Sequence, residues 1–527
     1  MQKSDRWNRV AWTLVGLGVA LRLMRYLLAF PLWGDECMVA TNFLTRDYAD
    51  LLRPLDNCQV APPLFLVLEL TAVKLLGFSE WSLRLVPLAS GLAALLVFKH
   101  LASRLLHGPA YALAVGLMAV AFYPLRHSAE VKPYAVDLLV AVVLLALAVE
   151  WWRDRSSTRW LWALVAALPV AVGLSFPAVF VAGGISLLLI CELLSSRDRS
   201  AIWPIVAYHA ALAVSLAGLM AVSAATQLEA WGPMMRTCWV AAFPPSPLHP
   251  LLLLRWLTET YSGHMFAYPL GGSAGGSALT LVCFLAGLAA WMRRGDRRLA
   301  VMLLAPFGLG LLSAALRLYP YGDNERLVQY LAPAICLLAG LGIVQLVARL
   351  RPAARGWVLP AVVGLLGVIG CGEGVFDLIH PYKHRCDWDH QSFARWFWSQ
   401  SDGSTDVVAM PQALNAAVYD RTDYCAYLCY QAIYGRRLKA ASAIAGSPAK
   451  PLDCVVFRGD QSRPKQPALD AWLKQFELRY QLAGCTRHRV KTDVGPPHDF
   501  YGWYDVYRFV PREGADVAQG DRQTQRK

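Results

Sequence analysis

The chain has 527 residues, of which 56% are hydrophobic and 17% are charged. Soluble domains carry about 25% charged residues, so the composition excludes an ordinary soluble enzyme and predicts a polytopic membrane protein. The net charge of +13 does not predict a nucleic-acid partner, because the basic residues cluster at every second boundary between hydrophobic segments. That spacing is typical of the positive-inside rule and reports topology.

The basic clusters assign a side of the membrane to each loop. They are Lys3/Arg6/Arg9, Lys99/Arg104, Arg153/Arg155/Arg159, Arg197/Arg199, Arg293/Arg294/Arg297/Arg298 and Arg349/Arg351/Arg355. Because Lys and Arg accumulate in cytoplasmic loops, we expect a cytoplasmic N-terminus and an extracytoplasmic C-terminal region. The first hydrophobic segment lacks a small-residue cleavage site, so we expect it to be retained as a span. The expected location is the bacterial inner (plasma) membrane.

The hydrophobic segments predict about eleven spans, with a range of about nine to thirteen, since about 20 apolar residues cross a bilayer. In chain order they are 10–32, 81–101, 110–124, 134–152, two segments on either side of 175–177, 202–221, 278–291, 299–318, 327–347 and 358–371. The apolar run 64–76 is short for a span, and a crossing there would reverse every later basic cluster. We expect it to lie along the outer surface as an interfacial or re-entrant helix.

The composition changes at about Gly374 and defines the predicted domains. A membrane domain is predicted over residues 1–373, an extracytoplasmic α/β domain over 374–512, and a disordered polar tail over 513–527. Strand patterns occur at 406–410, 454–457 and 504–510, and helix patterns at 391–399 and 468–476. The predicted fold class is therefore a polytopic α-helical membrane protein with a C-terminal extracytoplasmic α/β domain.

Cysteines concentrate in the regions predicted to lie outside the cell. Cys37 and Cys58 are in the first outer loop, residues 31–80, and the outer domain contains Cys386, Cys425, Cys429, Cys454 and Cys485. An oxidising exterior permits disulfides, but the spacing does not define their connectivity. The pair Cys425 and Cys429 is a weak metal signal because no second pair matches it. We expect no metal site and no cofactor, with a divalent cation kept as an alternative.

Ionisable and aromatic polar residues gather at the predicted outer ends of the spans. They are Asp35, Glu36, Arg84, Arg126, His127, Glu130, Lys132, Tyr134, Arg317, Tyr319, Tyr321, Asp323, Glu325 and Arg326. Charged groups at membrane depth predict a functional site. Structural alternatives stay open: Asp35-Glu36 as a helix cap, Glu130 and Lys132 as an ion pair, and Lys132 or Arg326 as snorkelling cations.

Both signs of charge together favour a phosphate-linked lipid substrate. Arg and Lys bind phosphate, a carboxylate accepts a proton from an incoming hydroxyl, and cations neutralise the leaving phosphate. We therefore predict transfer of a sugar from a polyprenyl-phosphate donor to an acceptor hydroxyl on the extracytoplasmic face. The alternative is a transporter or flippase for a lipid or anionic solute, which would place charges near the midplane and show internal repeats. A scaffold for a partner protein would leave the paired carboxylates unexplained.

An ordered set of motifs resembles one known group of enzymes. The motifs are Trp33-Gly34-Asp35-Glu36, Ala61-Pro62-Pro63-Leu64-Phe65, the segment Gly77 to Leu85, Glu130-Val131-Lys132-Pro133-Tyr134, and the segment Arg326 to Pro333. In this order and spacing the sequence resembles the GT-C superfamily of membrane glycosyltransferases, in its protein O-mannosyltransferase and aminoarabinose-transferase branch. The resemblance implies an inverting hexosyl- or pentosyltransferase that depends on a lipid-phosphate sugar.

The resemblance also implies roles for residues of this chain. Asp35 corresponds to the catalytic carboxylate, with Glu36 beside it. Donor phosphate or substrate is expected to contact Arg84, Glu130, Lys132, Tyr134, Arg317, Tyr321 and Arg326. The implied partners are membrane lipid, the polyprenyl-phosphate sugar, and a glycan, lipid or protein acceptor.

Two positions depart from the family pattern. The aminoarabinose transferases have Lys-Pro where this chain has Ala61-Pro62, so Arg84, Lys132 or Arg326 would have to supply the missing cation. The Asp of their second outer loop has no clean match here, and Glu130 or Asp137 would stand in for it.

Overall fold

The structure is a computed structural model that describes residues 2–195, 201–247, 249–273, 275–399, 404–410, 420–435, 450–458, 466–491 and 501–512. The chain divides into two compact units. The first comprises Met1–Ala29, Arg46–Gly77 and Trp81–Ile379, and the second Phe30–Thr45, Phe78–Glu80 and His380–Lys527. The sequence placed the domain boundary at 373/374 and assigned the whole of residues 31–80 to one loop of the membrane domain. The predicted tail 513–527 lies outside the described residues.

Helices account for most of the described chain. In chain order they are α1 (Gln2–Leu27), α2 (Gly34–Ala40), α3 (Asn42–Thr45), α4 (Pro63–Leu76), α5 (Glu80–Leu105), α6 (Gly108–Ala119), α7 (Phe122–His127), α8 (Tyr134–Arg153), α9 (Arg159–Leu174), α10 (Ala178–Ser195), α11 (Ile202–Leu219), α12 (Ala225–Cys238), α13 (Pro250–Ser262), α14 (Ala278–Arg293), α15 (Arg297–Ala315), α16 (Ala332–Val347), α17 (Pro352–Ile379), α18 (Arg385–Ser399), α19 (Asp420–Tyr434) and α20 (Gln466–Glu477). A π-helical turn, Met220–Ala224, joins α11 to α12. Short 3₁₀ segments lie at Asp50–Leu52, Val240–Ala242, His264–Phe266 and Glu325–Leu331.

The described residues contain eight helical segments long and apolar enough to cross a membrane. They are Asp5–Leu27, Glu80–Leu105, Tyr134–Arg153, Ala178–Ser195, Ile202–Cys238, Arg297–Ala315, Glu325–Val347 and Pro352–Ile379. The helices α6, α9 and α14 are shorter and also apolar. Each predicted span coincides with one of these helices, so the polytopic helical fold is confirmed, while the number of crossings stays a prediction. The run 64–76 forms α4, which has 14 residues, and its surface location also stays a prediction.

Small residues set the packing at the core of the first unit. α16 is buried along most of its length and packs against α14 and α6. A Cβ added to Gly287 would collide with the backbone of Leu338, one added to Gly342 with the backbone of Cys283, and one added to Gly340 with Ala114. Such close backbone approach is typical of helices that associate inside a membrane, where small residues replace the hydrophobic driving force.

The second unit contains a four-stranded mixed sheet. Its strands are β1 (Asp406–Ala409), β2 (Leu452–Arg458), β3 (Tyr480–Lys491) and β4 (Tyr501–Pro511). Their spatial order is β1-β2-β4-β3, with β1 and β2 parallel and the other two pairs antiparallel. α20 covers the sheet through Leu469 and Phe476, which pack with Cys454 and Phe509. The predicted strands correspond to β1, β2 and β4 and the predicted helices to α18 and α20, whereas β3 and α19 were not predicted.

Candidate active site

The two adjacent carboxylates lie in the first turn of α2, in the second unit. Glu36 is 1% exposed, and its Oε2 accepts a hydrogen bond from the Trp33 N–H at 3.2 Å. The side chain of Glu36 therefore caps the N-terminus of α2 and satisfies one of its unpaired amides. Asp35 is half-buried. The alternative in which the pair caps a helix therefore applies to Glu36. The capping hydrogen bond does not assign a role to Asp35.

Residues distant in sequence hold the α2 segment in place. Tyr430 of α19 accepts a hydrogen bond from the Leu32 N–H at 2.8 Å, and the Cys429 thiol lies 3.6 Å from the Cys37 carbonyl oxygen. The Lys383 ammonium lies 2.9 Å from the centroid of the Trp33 ring, a cation–π contact. The sequence did not predict these supports, because no motif links α19 to the Asp-Glu pair.

A cavity of about 560 Å³ opens in the first unit and is called here the Lys132 cavity. Residues of α8, α10, α11, α12, α15 and their connections line it, and most of them are apolar. Among the described lining residues Lys132 is the one cation and Asp137 the one carboxylate. Tyr134 and Tyr319 add phenol groups to the wall. The cavity therefore combines a long apolar surface with a small set of polar groups, which is the usual make-up of a binding site.

Lys132 is tied to the first outer loop. Its side chain is buried, and its Nζ donates a hydrogen bond to Gln59 Oε1 at 2.6 Å. Gln227 of α12 holds the same loop, since its side chain accepts from the Ala61 N–H at 3.1 Å and donates to the Ala61 carbonyl at 3.2 Å. Lys132, one of the three cations proposed to replace the missing Lys, thus lies beside Ala61-Pro62.

Two further residues of the Glu130 to Tyr134 motif are also buried. Glu130 accepts a charge-assisted hydrogen bond from Arg126 Nε at 2.7 Å, and the His127 Nε2 lies 3.8 Å from its other oxygen. The ring of Tyr134 lies 5.0 Å from the His127 ring, centroid to centroid. Glu130 therefore belongs to an ion pair with Arg126, which lies in α7 four residues earlier. Tyr134 lines the Lys132 cavity.

The connection between α15 and α16 contacts the segment that follows α12. Arg317 donates to the Pro244 carbonyl at 2.7 Å, Tyr321 shares a hydrogen bond of 3.0 Å with the Tyr261 hydroxyl, and the Arg326 guanidinium lies 4.6 Å from the Trp239 ring centroid. Burial raises the pKa of the Tyr321 phenol well above its ordinary value, and the neighbouring Tyr261 and Tyr330 add to this effect. The phenol therefore stays neutral.

Comparison with known proteins gives matches in structure only. No family model matches the chain. No curated protein sequence matches it either. ArnT from Cupriavidus metallidurans in the apo state aligns with a TM-score of 0.52 at 14% identity, over 94% of this chain and 98% of that chain. The same protein bound to undecaprenyl phosphate gives 0.50 at 16% identity, over 93% and 97%.

The chain has a GT-C membrane fold. ArnT is an aminoarabinose transferase of the GT-C superfamily, so the resemblance found in the sequence motifs is confirmed at the level of the fold. An oligosaccharyltransferase of Archaeoglobus fulgidus in the apo form aligns at 12% identity over 80% of this chain and 64% of that chain, with a TM-score of 0.45.

Within this GT-C fold the predicted site residues fall into three groups. Asp35 and Glu36 belong to the second unit. Lys132 and Tyr134 line the Lys132 cavity of the first unit, as does Asp137, the alternative second carboxylate. The other predicted site residues lie elsewhere in the first unit. They are Arg84, which is buried in α5, and Glu130, Arg317, Tyr321 and Arg326. The contacts of Gln59 and Gln227 were not predicted from the sequence, because a single amide side chain in an outer loop or an apolar helix forms no recognisable motif.

Proposed function

We propose that the protein is a membrane glycosyltransferase that moves a sugar from a polyprenyl-phosphate donor to an acceptor hydroxyl. The Lys132 cavity carries the proposal, because it joins an apolar wall to a buried cation within a GT-C fold. The ArnT structure with bound undecaprenyl phosphate supports a lipid-linked donor. Apolar side chains accommodate an isoprenoid chain by removing it from water, and an ammonium group forms charge-assisted hydrogen bonds to phosphate.

The position of Lys132 supports the proposal that it replaces the Lys of the family's Lys-Pro. Its Nζ is bonded to Gln59, two residues before Ala61, and Val60 and Pro62 line the same cavity. In the proposed complex the phosphate takes the place of Gln59 as the partner of the ammonium group. Arg84, Arg317 and Arg326 are proposed as further contacts to donor or acceptor, on the motifs alone.

The proposed reaction uses Asp35 as the general base. Its carboxylate accepts the proton of the acceptor hydroxyl, whose oxygen attacks the anomeric carbon from the face opposite the phosphate. The bond from that carbon to the phosphate oxygen breaks, and the sugar is transferred with inversion. Lys132 neutralises the charge on the leaving phosphate. We place this chemistry at the extracytoplasmic face of the inner membrane, and it requires no cofactor.

Binding of undecaprenyl phosphate to purified Lys132→Met tests the proposal. A hydrogen bond to a charged group contributes about 1.5–3 kcal/mol, so the dissociation constant is expected to rise by roughly 10- to 100-fold. Lys74→Met is the matched control, since Lys74 is a half-exposed lysine of the first unit that pairs with Asp47 on the surface. Equal affinity of wild type and Lys132→Met, measured by native mass spectrometry, would contradict the assignment of the phosphate site.

A further inference from the structure

Three cysteines of the second unit meet where α2 packs against α19. Cys37 lies in α2, Cys425 and Cys429 lie in α19, and all three are buried. The two cysteines of α19 are four residues apart, so they share one face of that helix. This face is turned to α2, because Cys429 contacts the Cys37 carbonyl.

The contacts between the two helices bring the Cys429 thiol next to the backbone of Cys37, and both cysteines are free thiols in the structure. The Cys429 Sγ lies 3.6 Å from the Cys37 carbonyl oxygen, and the next residue, Tyr430, is hydrogen-bonded to Leu32. Disulfides join cysteines whose Cα atoms are about 4.4–6.8 Å apart, and the packing of α19 on α2 places these two cysteines on neighbouring helices. Burial raises the pKa of the Cys37 thiol well above its ordinary value, and a hydrogen bond with the Cys429 thiol raises it further.

We propose that Cys37 and Cys429 form a disulfide bond that ties α2 to α19. The two thiols lose two electrons and two protons as their sulfur–sulfur bond forms. A disulfide-bearing oxidant of the extracytoplasmic compartment accepts them: its own sulfur–sulfur bond breaks and it leaves as two thiols. Since α19 covers the buried Cys37 thiol in the folded protein, and a thiol that is buried reacts poorly, the bond forms during folding, before α19 covers α2. The compartment follows from the proposed topology.

The bond has a consequence for the proposed enzyme. α2 carries Asp35 two residues before Cys37, so the crosslink fixes the short helix that presents the proposed base. This consequence rests on the proposed function, whereas the crosslink itself does not. A disulfide is detected without any assay of sugar transfer, so the failure of one proposal is distinguishable from the failure of the other.

The direct test is peptide mapping of the full-length protein purified from membranes. The protein is unfolded without reductant in the presence of iodoacetamide, digested, and analysed by mass spectrometry. The expected result is a linked peptide pair containing Cys37 and Cys429 that disappears after reduction. Cys454, which is buried in the core of the sheet, serves as the internal control and is expected as the alkylated thiol.

Three outcomes would overturn the proposal. The first is alkylation of both Cys37 and Cys429 in the unreduced sample. The second is a linked pair in which Cys425 replaces either of them. The third is release of stoichiometric zinc on unfolding with all three thiols alkylated, which would identify a metal site instead.

A second measurement follows the crosslink in the folded protein. Reductant is expected to accelerate amide hydrogen exchange in residues 34–40 of wild type, and to have no effect on exchange in Cys429→Ser. Cys485→Ser is the control: Cys485 is exposed on β3, so this variant is expected to respond to reductant as wild type does. Exchange in wild type that reductant does not alter would contradict a structural disulfide.

Discussion

At the scale of single residues, Asp35 and Glu36 are neighbours with different environments. Glu36 is buried and its carboxylate caps α2, a role that stabilises the segment in any state of the reaction. Asp35 is half-buried and is not needed for that cap. A general base requires a carboxylate that an acceptor hydroxyl can reach. The difference in burial therefore favours Asp35 as the base and gives Glu36 the task of holding the helix that presents it.

Asp35→Asn is expected to abolish donor turnover while leaving the protein folded. The amide cannot accept the hydroxyl proton, and loss of a general base costs about 10²- to 10⁴-fold in rate. The measurement is release of undecaprenyl phosphate in membranes that contain equal amounts of folded enzyme. Asp50→Asn, a change at a half-exposed carboxylate paired with Arg53, should retain wild-type turnover. Turnover by Asp35→Asn at the wild-type rate would remove Asp35 from the mechanism.

At the proposed donor site, the sequence motifs alone do not distinguish the candidate cations. The motifs identified three cations, Arg84, Lys132 and Arg326, that were equivalent replacements for the missing Lys. The contact between Lys132 and Gln59, which are 73 positions apart, favours Lys132 among them. No local pattern encodes such a contact, because it depends on how the segment before α8 meets Gln59 in the folded chain.

At the scale of elements, the fold pairs charges inside the first unit. Arg25 near the end of α1 donates from Nη1 to both carboxylate oxygens of Asp377 near the end of α17, at 2.5 and 2.6 Å. Both side chains are at most 8% exposed. Charges at membrane depth are rare and are almost always paired. In sequence both helices directly precede segments of the second unit, so this pair fixes the point at which the chain leaves the membrane helices.

Asp377→Ala is expected to destabilise the first unit strongly. Removing one partner of a buried ion pair leaves an uncompensated charge and costs about 3–5 kcal/mol. The double variant Arg25→Met/Asp377→Leu removes both charges and should recover most of the loss, because replacing a buried pair by apolar residues is often neutral. Thermal unfolding in detergent measures both. If Asp377→Ala unfolds at the wild-type temperature, the pair contributes nothing to stability.

A second pair joins loop elements and responds to pH. The His264 Nδ1 lies 2.9 Å from Glu325 Oε2, and this hydrogen bond raises the pKa of His264 above its ordinary value of 6.5. A raised pKa means that the contribution to stability is fully present below about pH 6.5 and is lost as pH rises through the folded-state pKa. The docking of the turn His264–Phe266 on the segment Glu325–Leu331 should therefore weaken at alkaline pH.

Hydrogen exchange of residues 264–268 between pH 6 and pH 9 tests this prediction. After correction for the intrinsic dependence of exchange on pH, opening of the turn should increase as His264 loses its proton. His264→Gln, which keeps a hydrogen-bond donor but no titratable charge, should show no such increase. An equal pH response of the two proteins would assign the opening to another group.

In the second unit, the strands with an apolar sequence pattern were predicted and the strand without one was not. β1, β2 and β4 are apolar runs, and they were predicted. β3 is exposed along most of its length and carries charged side chains such as Arg487, which pairs with Asp505 of β4. Without an apolar face a strand gives no period-2 signal. α19 was missed because its buried face is formed of cysteines and tyrosines that contact α2, residues that helix propensity does not favour.

At the scale of the whole molecule, the proposed reaction requires its site residues to lie on the same side of the membrane, so it depends on the topology of the chain. The cluster Arg293/Arg294/Arg297/Arg298 lies where α14 ends and α15 begins, and Arg349/Arg351/Arg355 lies where α16 ends and α17 begins. Basic loops remain in the cytoplasm. α17 is the one apolar helix between the second cluster and Pro381. We predict a single crossing there, so that Pro381 is expected on the opposite side of the membrane from both clusters.

Fusions of a reporter enzyme therefore have opposite expected outcomes at two positions. A phosphatase active only outside the cytoplasm should be inactive after Arg294 and active after Pro381, and a cytoplasm-dependent fluorescent protein should give the reverse pattern. Fusion after Arg355 is the control and should behave like Arg294, since both follow basic clusters. An outside signal after Arg294 would reverse the orientation. It would also put Cys37 and Cys429 in a reducing compartment, where their disulfide would not persist, so one measurement constrains both the catalytic face and the crosslink.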